Sequence, residues 1–212
     1  NAYGKGIGST AFGNSAAATR QNALAIGSGS LSQSENAVAM GANAFANGVD
    51  GVALGSKASV DTGGGTSGIA IGAAAKAGTP GYTGAIAIGG GAEARIDSVA
   101  LGYGASAAAK GAVALGVRSS ATEVNTVSVG SSTLRRRIVN VEDGRITASS
   151  SDAVTGKQLH AMNERVDGLI KQDSASGIVR IANSNTGTEV SMRNAVLATR
   201  KVSGVSDGTL TT

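Results

Sequence analysis

Large apolar and small residues alternate in a short segment that the chain writes nine times, each copy closed by a glycine. The copies run from Thr10-Ala11-Phe12-Gly13 through Leu24-Ala25-Ile26-Gly27 and Val99-Ala100-Leu101-Gly102 to Val127-Ser128-Val129-Gly130. Successive glycines stand 14, 14, 14, 17, 17, 13, 14 and 14 residues apart. Counted from its glycine, nearly every copy has large apolar residues at −3 and −1, and position −2 is alanine except for the serine of the ninth copy. A period of two describes a strand with one bulky face and one small face. The Val and Ile content favours strand over helix. After the glycine, small residues recur at +3 (Ala16, Ser30, Ala44) and +5 (Ala18, Ser32, Ala46), with variable residues such as Phe45, Lys76, Glu93, Asp61 and Arg95 at +4 and +6. That predicts a second short strand, small residues inward and variable residues outward, with the glycine in the turn between the strands. A fixed period of this length marks a solenoid. One coil is two short strands, and nine coils stacked in parallel at roughly 4.8 Å make a rod on the order of 40 Å long.

A lone coil of this kind is under-supported. Burying the two large side chains contributes roughly 1.5–3 kcal/mol each, while ordering each residue costs roughly 1–2 kcal/mol of backbone entropy. Burial beyond the coil is needed. No charge falls between −4 and the glycine in any copy; Lys57, Lys76, Asp97 and Lys110 all lie elsewhere. A solvent face normally carries charge. The expectation is that Ala25, Ala39, Ala53, Ala70, Ala87, Ala100 and Ala114 form a small-residue wall packed against an identical chain.

Residues 1–130 are thus an all-β solenoid of 14-residue repeats. Two coils are longer, with their extra residues in the turn-rich stretches 61–67 and 78–83. Insertions of this type project from one face, often the binding face. Residues 131–151 read as a connector carrying the charge cluster Arg135, Arg136, Arg137, Glu142 and Asp143. The stretch 149–152 offers N-caps for a helix over 152–171. There Leu159, Met162, Val166 and Leu169 are spaced 3, 4 and 3 apart. That is an a/d seam, too short to be stable as an isolated helix. Residues 172–199 read as a small β-rich module, and 200–212 echo 137–147 as the start of a second connector.

Composition narrows the function classes. The five aromatic residues argue against a conventional thick core, and the absence of cysteine leaves no disulfide framework or cysteine metal site. The net charge of +4 is scattered apart from Arg135–Arg137, with no nucleic-acid stripe. No apolar run reaches membrane-spanning length. The chain opens part-way through a repeat pattern, so targeting and membrane-anchoring parts are expected outside it. Asp61-Thr62-Gly63 matches the aspartic-protease triplet, but that chemistry needs two carboxylates sharing a proton, and the triplet occurs once, in a glycine-rich loop. The Gly-x-Gly clusters lack the helix a phosphate loop needs. His160 is the only histidine and has no partner for zinc or a triad. The arginine run fits a structural role, neutralised by Glu142 or Asp143 of a neighbouring chain, better than an anionic-glycan or lipid site. The expectation is a non-enzymatic protein with no cofactor and no metal.

Asn22-Ala23-Leu24-Ala25-Ile26-Gly27, Asn36-Ala37-Val38-Ala39-Met40-Gly41 and Asp97-Ser98-Val99-Ala100-Leu101-Gly102 resemble the head repeats of the YadA-like trimeric autotransporter adhesins of Gram-negative bacteria. The run 138–144, followed by Ser151-Asp152-Ala153-Val154-Thr155-Gly156-Lys157-Gln158-Leu159, is similar to that family's neck. The resemblance covers residues 9–170 and returns at 200–212. It implies a trimeric left-handed parallel β-roll head, a neck, a short trimeric coiled coil and a small β-rich stalk module, hence a homotrimer. It also implies an outer-membrane anchor outside this stretch, exposure on the bacterial surface, and attachment to a host extracellular matrix protein or a cell-surface receptor or glycan. The two longer coils and the relaxed Asn at −5 depart from the family pattern and leave the ligand open. The alternatives are a left-handed β-helix acyltransferase, disfavoured by the 14-residue period and by His160 lying outside the solenoid, and a purely structural stalk spacer.

Overall fold

The computed structural model describes residues 1–172 and 179–181. The chain divides into two compact units, Asn1–Arg137 and Ile138–Thr212. The first is a parallel β-solenoid of nine coils made of two nine-stranded sheets. One sheet carries the repeated motif; the other carries the short strands that follow each glycine. In the motif sheet the −2 residues stand in one register from Ala11 through Ala25, Ala39, Ala53, Ala70, Ala87, Ala100 and Ala114 to Ser128. The two long coils leave this register untouched, because their extra residues are accommodated in the second sheet and the turn that follows it.

Alternation sets opposite faces within a strand, and the structure corrects the expected assignment of those faces. The alanines expected to form an inter-chain wall, Ala25, Ala39, Ala53, Ala70, Ala87, Ala100 and Ala114, are fully buried inside the single chain. They face the +3 and +5 residues of the second sheet, which point inward as expected: Ala16, Ala18, Ala44 and Ala46 are fully buried too. The large residues at −3 and −1 point outward. The physical reason is circumference. A two-strand coil closed in about 14 residues encloses a gap that admits little beyond a methyl group, so bulky side chains leave the interior despite their hydrophobicity. Every buried apolar residue among those described is alanine except Val60. Serine substitutes for alanine in the interior where its hydroxyl finds a carbonyl: Ser30 donates to Gly27 (2.9 Å), Ser32 to Ala37 (2.9 Å) and Ser98 to Ala107 (3.0 Å).

Val60 is admitted because glycine stands opposite it. A Cβ on Gly51 would come within 3.1 Å of Val60 Cγ1, and one on Gly68 within 2.5 Å. These are the two coils whose −4 residue is glycine. The corners are equally constrained. At Gly27 (φ 124°) a Cβ would lie 2.5 Å from the Gly41 carbonyl oxygen of the next coil. The −5 corner is left-handed throughout, occupied by Asn22, Asn36, Asp50, Ser67, Asp97 and Asn125 with φ between 48° and 59° and by glycine at positions 8, 84 and 111 with φ between 65° and 77°. Asn and Asp tolerate that region better than other residues with a side chain, and this accounts for the relaxed Asn of the motif.

Residues 131–155, which cross from the first unit into the second, carry no helix or strand, and the helix of the second unit runs over Gly156–Leu169. It is capped by Thr155, not by a residue of 149–152: Thr155 and Gln158 form a capping box. Ile170–Gln172 then pairs antiparallel with Val179–Ile181. The rest of the expected β-rich module over 172–199, and the second connector over 200–212, lie outside the described residues.

The Val60–glycine complementarity makes a double-mutant prediction. Gly68→Ala is expected to destabilise the solenoid by about 1–3 kcal/mol through overpacking. Val60→Ala in the same chain is expected to restore most of that loss, a coupling read from thermal or denaturant unfolding of the four combinations.

Candidate binding surfaces

Because the interior takes the small residues, the motif sheet presents its large ones outward. Parallel in-register pairing places Ile69, Ile86, Val99 and Val113 in one column and Ile71, Ile88, Leu101 and Leu115 in another. Leu101 is 41% exposed on the single chain, and no charged residue interrupts the columns. A contiguous apolar face of this kind on a soluble coil marks an interaction surface. The sequence signal was the absence of charge around the motif. That signal belongs to the bulky −3 and −1 side of the strand, not to the alanine side to which the expectation assigned it.

The two long coils build a ledge with the coil before them. Phe45–Val49 of that preceding coil and Ser59–Thr66 of the first long coil span 5 and 8 residues, against two for the other strands of that sheet. Asp61 Oδ1 accepts from Asn47 Nδ2 (3.0 Å) and from the Gly63 amide (3.2 Å). The buried Thr62 hydroxyl lies 2.8 Å from the Gly65 carbonyl oxygen, to which it donates. The second insertion stacks on the first, with the Gly81 amide donating to Thr62 (2.9 Å). Asp61 of the protease-like triplet therefore holds a turn. Beside the ledge, the −5 corner carries a side-chain ladder in which Asn22 donates to Asn36 (3.1 Å) and Asn36 to Asp50 (2.9 Å).

Of the five residues of the expected neck charge cluster, two are engaged within the chain, Arg136 and Asp143. Arg136 donates to the carbonyls of Val129 (2.5 Å) and Val117 (2.7 Å). Its guanidinium lies against Gly116, where the earlier glycines meet the next coil's glycine. Arg136 thus takes the place that the ninth coil's Gly130 would hold at that corner and closes the corner where the stack ends. Arg135, Arg137 and Glu142 are exposed. Asp143 is engaged within its own unit: Lys157 Nζ lies 2.6 Å from its Oδ2, and the Thr155 hydroxyl donates to it at 2.7 Å. Within the chain its charge is thus met by Lys157.

Around the helix start, Gln158 accepts from the Gly144 amide (3.0 Å) and returns a bond to the Gly144 carbonyl (2.5 Å). Arg145 pairs with Asp152 (2.8 Å). The Thr-x-x-Gln spacing could have disclosed the cap; the Gly144 and Arg145 contacts have no sequence signature. The Lys157 bond holds the Asp143 carboxyl below its ordinary value, and the Arg145 bond does the same for Asp152. On the helix, Leu159, Met162, Val166 and Leu169 are 45–58% exposed, and no helix residue is buried. His160 is exposed. Among the described residues, no group of three or more His, Cys, Asp or Glu could hold a metal, and no helix is long and apolar enough to cross a membrane.

Comparison with known proteins agrees with this architecture. The family model described as the YadA head domain repeat (2 copies) matches residues 5–30, 32–58, 96–119 and 107–133. The coiled stalk of trimeric autotransporter adhesin matches 137–178. The crystal structure of the collagen-binding domain of Yersinia adhesin YadA superposes with a TM-score of 0.67 at 31% identity, covering 77% of this chain and 87% of that one. The autotransporter adhesin BtaE of Brucella suis biovar 1 (strain 1330) is 50% identical over 44 residues, 21% of this chain and 6% of that protein's length. The two sheets per coil also differ from the three-sided coil of the acyltransferase alternative.

Two predictions follow from the neck. Arg136→Met is expected to destabilise the solenoid by about 1–2 kcal/mol through two lost carbonyl bonds, while Arg135→Met changes it by less than about 0.5 kcal/mol, both read by chemical denaturation. Carboxyls whose folded values lie below the ordinary 3.8 support the fold fully above that value and lose the contribution as pH falls through the folded value. Carboxyl-detected NMR titration should therefore show Asp143 and Asp152 with midpoints under 3.8, and Lys157→Met should return Asp143 toward it.

Proposed function

The chain belongs to the YadA-like trimeric autotransporter adhesins, and we propose that it is an exposed part of a bacterial surface adhesin that attaches to host cells or extracellular matrix as a homotrimer. The observation that carries this reading is the outward apolar face of the motif sheet. A lone coil gains little from its alanine interior, and its large side chains lie on the outside, where only another protein surface can bury them. An identical chain presents the same uninterrupted columns, so self-association is the direct way to cover them. The helix supports the same reading. Leu159, Met162, Val166 and Leu169 form an a/d seam that no described residue of the chain buries, and a 14-residue helix is marginal without such cover. The number three comes from the family.

Function follows from multiplicity. Three identical outer faces on one stiff stack turn weak single contacts into an avid one, because each further contact forms at high effective concentration. The relative of solved structure is a collagen-binding domain, and collagen is accordingly the first ligand to test. The sites belong to the surface of the bacterium's outer membrane, where the family is displayed.

Sedimentation of the chain should give a trimer, and Ile71→Asp with Ile88→Asp should give a monomer. Against immobilised collagens, fibronectin and laminin, the trimer should bind at least one, and the monomer about 100-fold more weakly. A stable wild-type monomer would refute the assembly, and failure on every matrix protein would favour the spacer alternative.

A further inference from the structure

The ledge of the two long coils leaves a recess on its N-terminal side, about 420 Å³ in volume, where the Gly63–Gly64 peptide faces the corners of three preceding coils. That is within the size range of small-ligand sites. Its walls include Arg20, Gln33, Glu35, Asn47 and Val49.

The polar groups here differ from their neighbours. Asn22, Asn36 and Asp50 close on one another in the ladder. Arg20, Gln33 and Glu35, which flank that ladder, make no side-chain hydrogen bond or ion pair among the described residues. Asn47 is oriented by its bond to Asp61, which occupies its amide nitrogen and leaves its carbonyl oxygen as an acceptor. Gly64 has open space where a side chain would stand, so the peptide itself is reachable. One guanidinium and one carboxylate balance in charge.

We propose that this recess binds a neutral glycan through an N-acetylhexosamine residue. Planar guanidinium, carboxylate and carboxamide groups donate and accept side by side, the pattern that matches neighbouring sugar hydroxyls. The balanced charge gives no advantage to a sulfated chain. Half-buried Val49 offers an apolar contact the size of an acetamido methyl, and the bare Gly63–Gly64 peptide offers hydrogen bonds to the acetamido group. A peptide side chain would need a deeper apolar pocket than Val49 supplies. With no aromatic face to stack on, each site is weak, on the order of 1 mM. The inference goes beyond the adhesin reading, since it concerns a site complete within one chain.

Saturation-transfer NMR on the full chain tests it, with N-acetyllactosamine and N,N′-diacetylchitobiose at about 10 mM, ten times the expected dissociation constant. Cellobiose and a heparin hexasaccharide serve as contrasts. Strongest transfer to the acetamido methyl is expected. Gln33→Ala with Glu35→Ala should weaken binding roughly fivefold or more, the effect of two lost hydrogen bonds, with the thermal midpoint unchanged; Arg20→Ala serves as an independent variant. No transfer from either N-acetyl sugar, equal binding by the variants, or binding of the heparin fragment alone would overturn the assignment. Collagen and fibronectin binding on the same samples reports the adhesin reading separately: matrix binding without sugar binding refutes only this site.

Discussion

The gap between the two sheets of each coil is the constraint from which the rest follows. It is lined from both sides by alanine, with serine where a carbonyl is in reach, and it tolerates Val60 only because Gly51 and Gly68 withdraw their side of the wall. Close packing of this kind leaves no room for the usual Leu, Ile and Phe core. The large apolar residues of the motif are consequently displaced to the outer face. The solenoid reverses the common arrangement: its interior is made of the smallest side chains, and its greatest hydrophobic potential lies outside.

That reversal links the fold to assembly and to function. Outward Ile, Val and Leu in register produce columns that lengthen with each coil, so the area available to a partner grows with the repeat number while the interior of each coil stays the same. The corners impose the second condition. The close stacking of Gly27 on Gly41 and the left-handed Asn and Asp at −5 keep successive coils in register. Extra residues are therefore tolerated after the second strand, where a turn can lengthen without disturbing the motif sheet. This is where the ledge stands, and it is why the solenoid's largest departure from regularity is also its most distinctive surface.

Much of this was legible in the residues. The glycine period disclosed the solenoid, the pairing of like with like disclosed parallel strands, and Ala16, Ala18, Ala44 and Ala46 were correctly turned inward. The spacing of Leu159, Met162, Val166 and Leu169 located the helix to within a few residues. The alanines at −2 were misread, because alternation separates two faces without saying which is inside, and a one-position change of phase exchanges them. Hydrophobicity favoured the bulky face as the interior; circumference overruled it. The contacts of Arg136 and Asp143 inside the chain were not legible. Charge pattern suggests only that Arg135–Arg137 meet Glu142 or Asp143 of a neighbouring chain, whereas local geometry within the chain gives Arg136 two carbonyls and Asp143 the Lys157 ammonium.

By itself, then, the amino-acid sequence determined the repeat, its two short strands, the position of its turns, the helix and the family, since each of these is written in local periodicity and in residues suited to particular backbone conformations. Tertiary structure alone decided which face of the motif is buried, what terminates the stack, and how two separate insertions join into one ledge. Those outcomes depend on the width of a closed coil and on contacts between residues from different coils, and no local pattern encodes either.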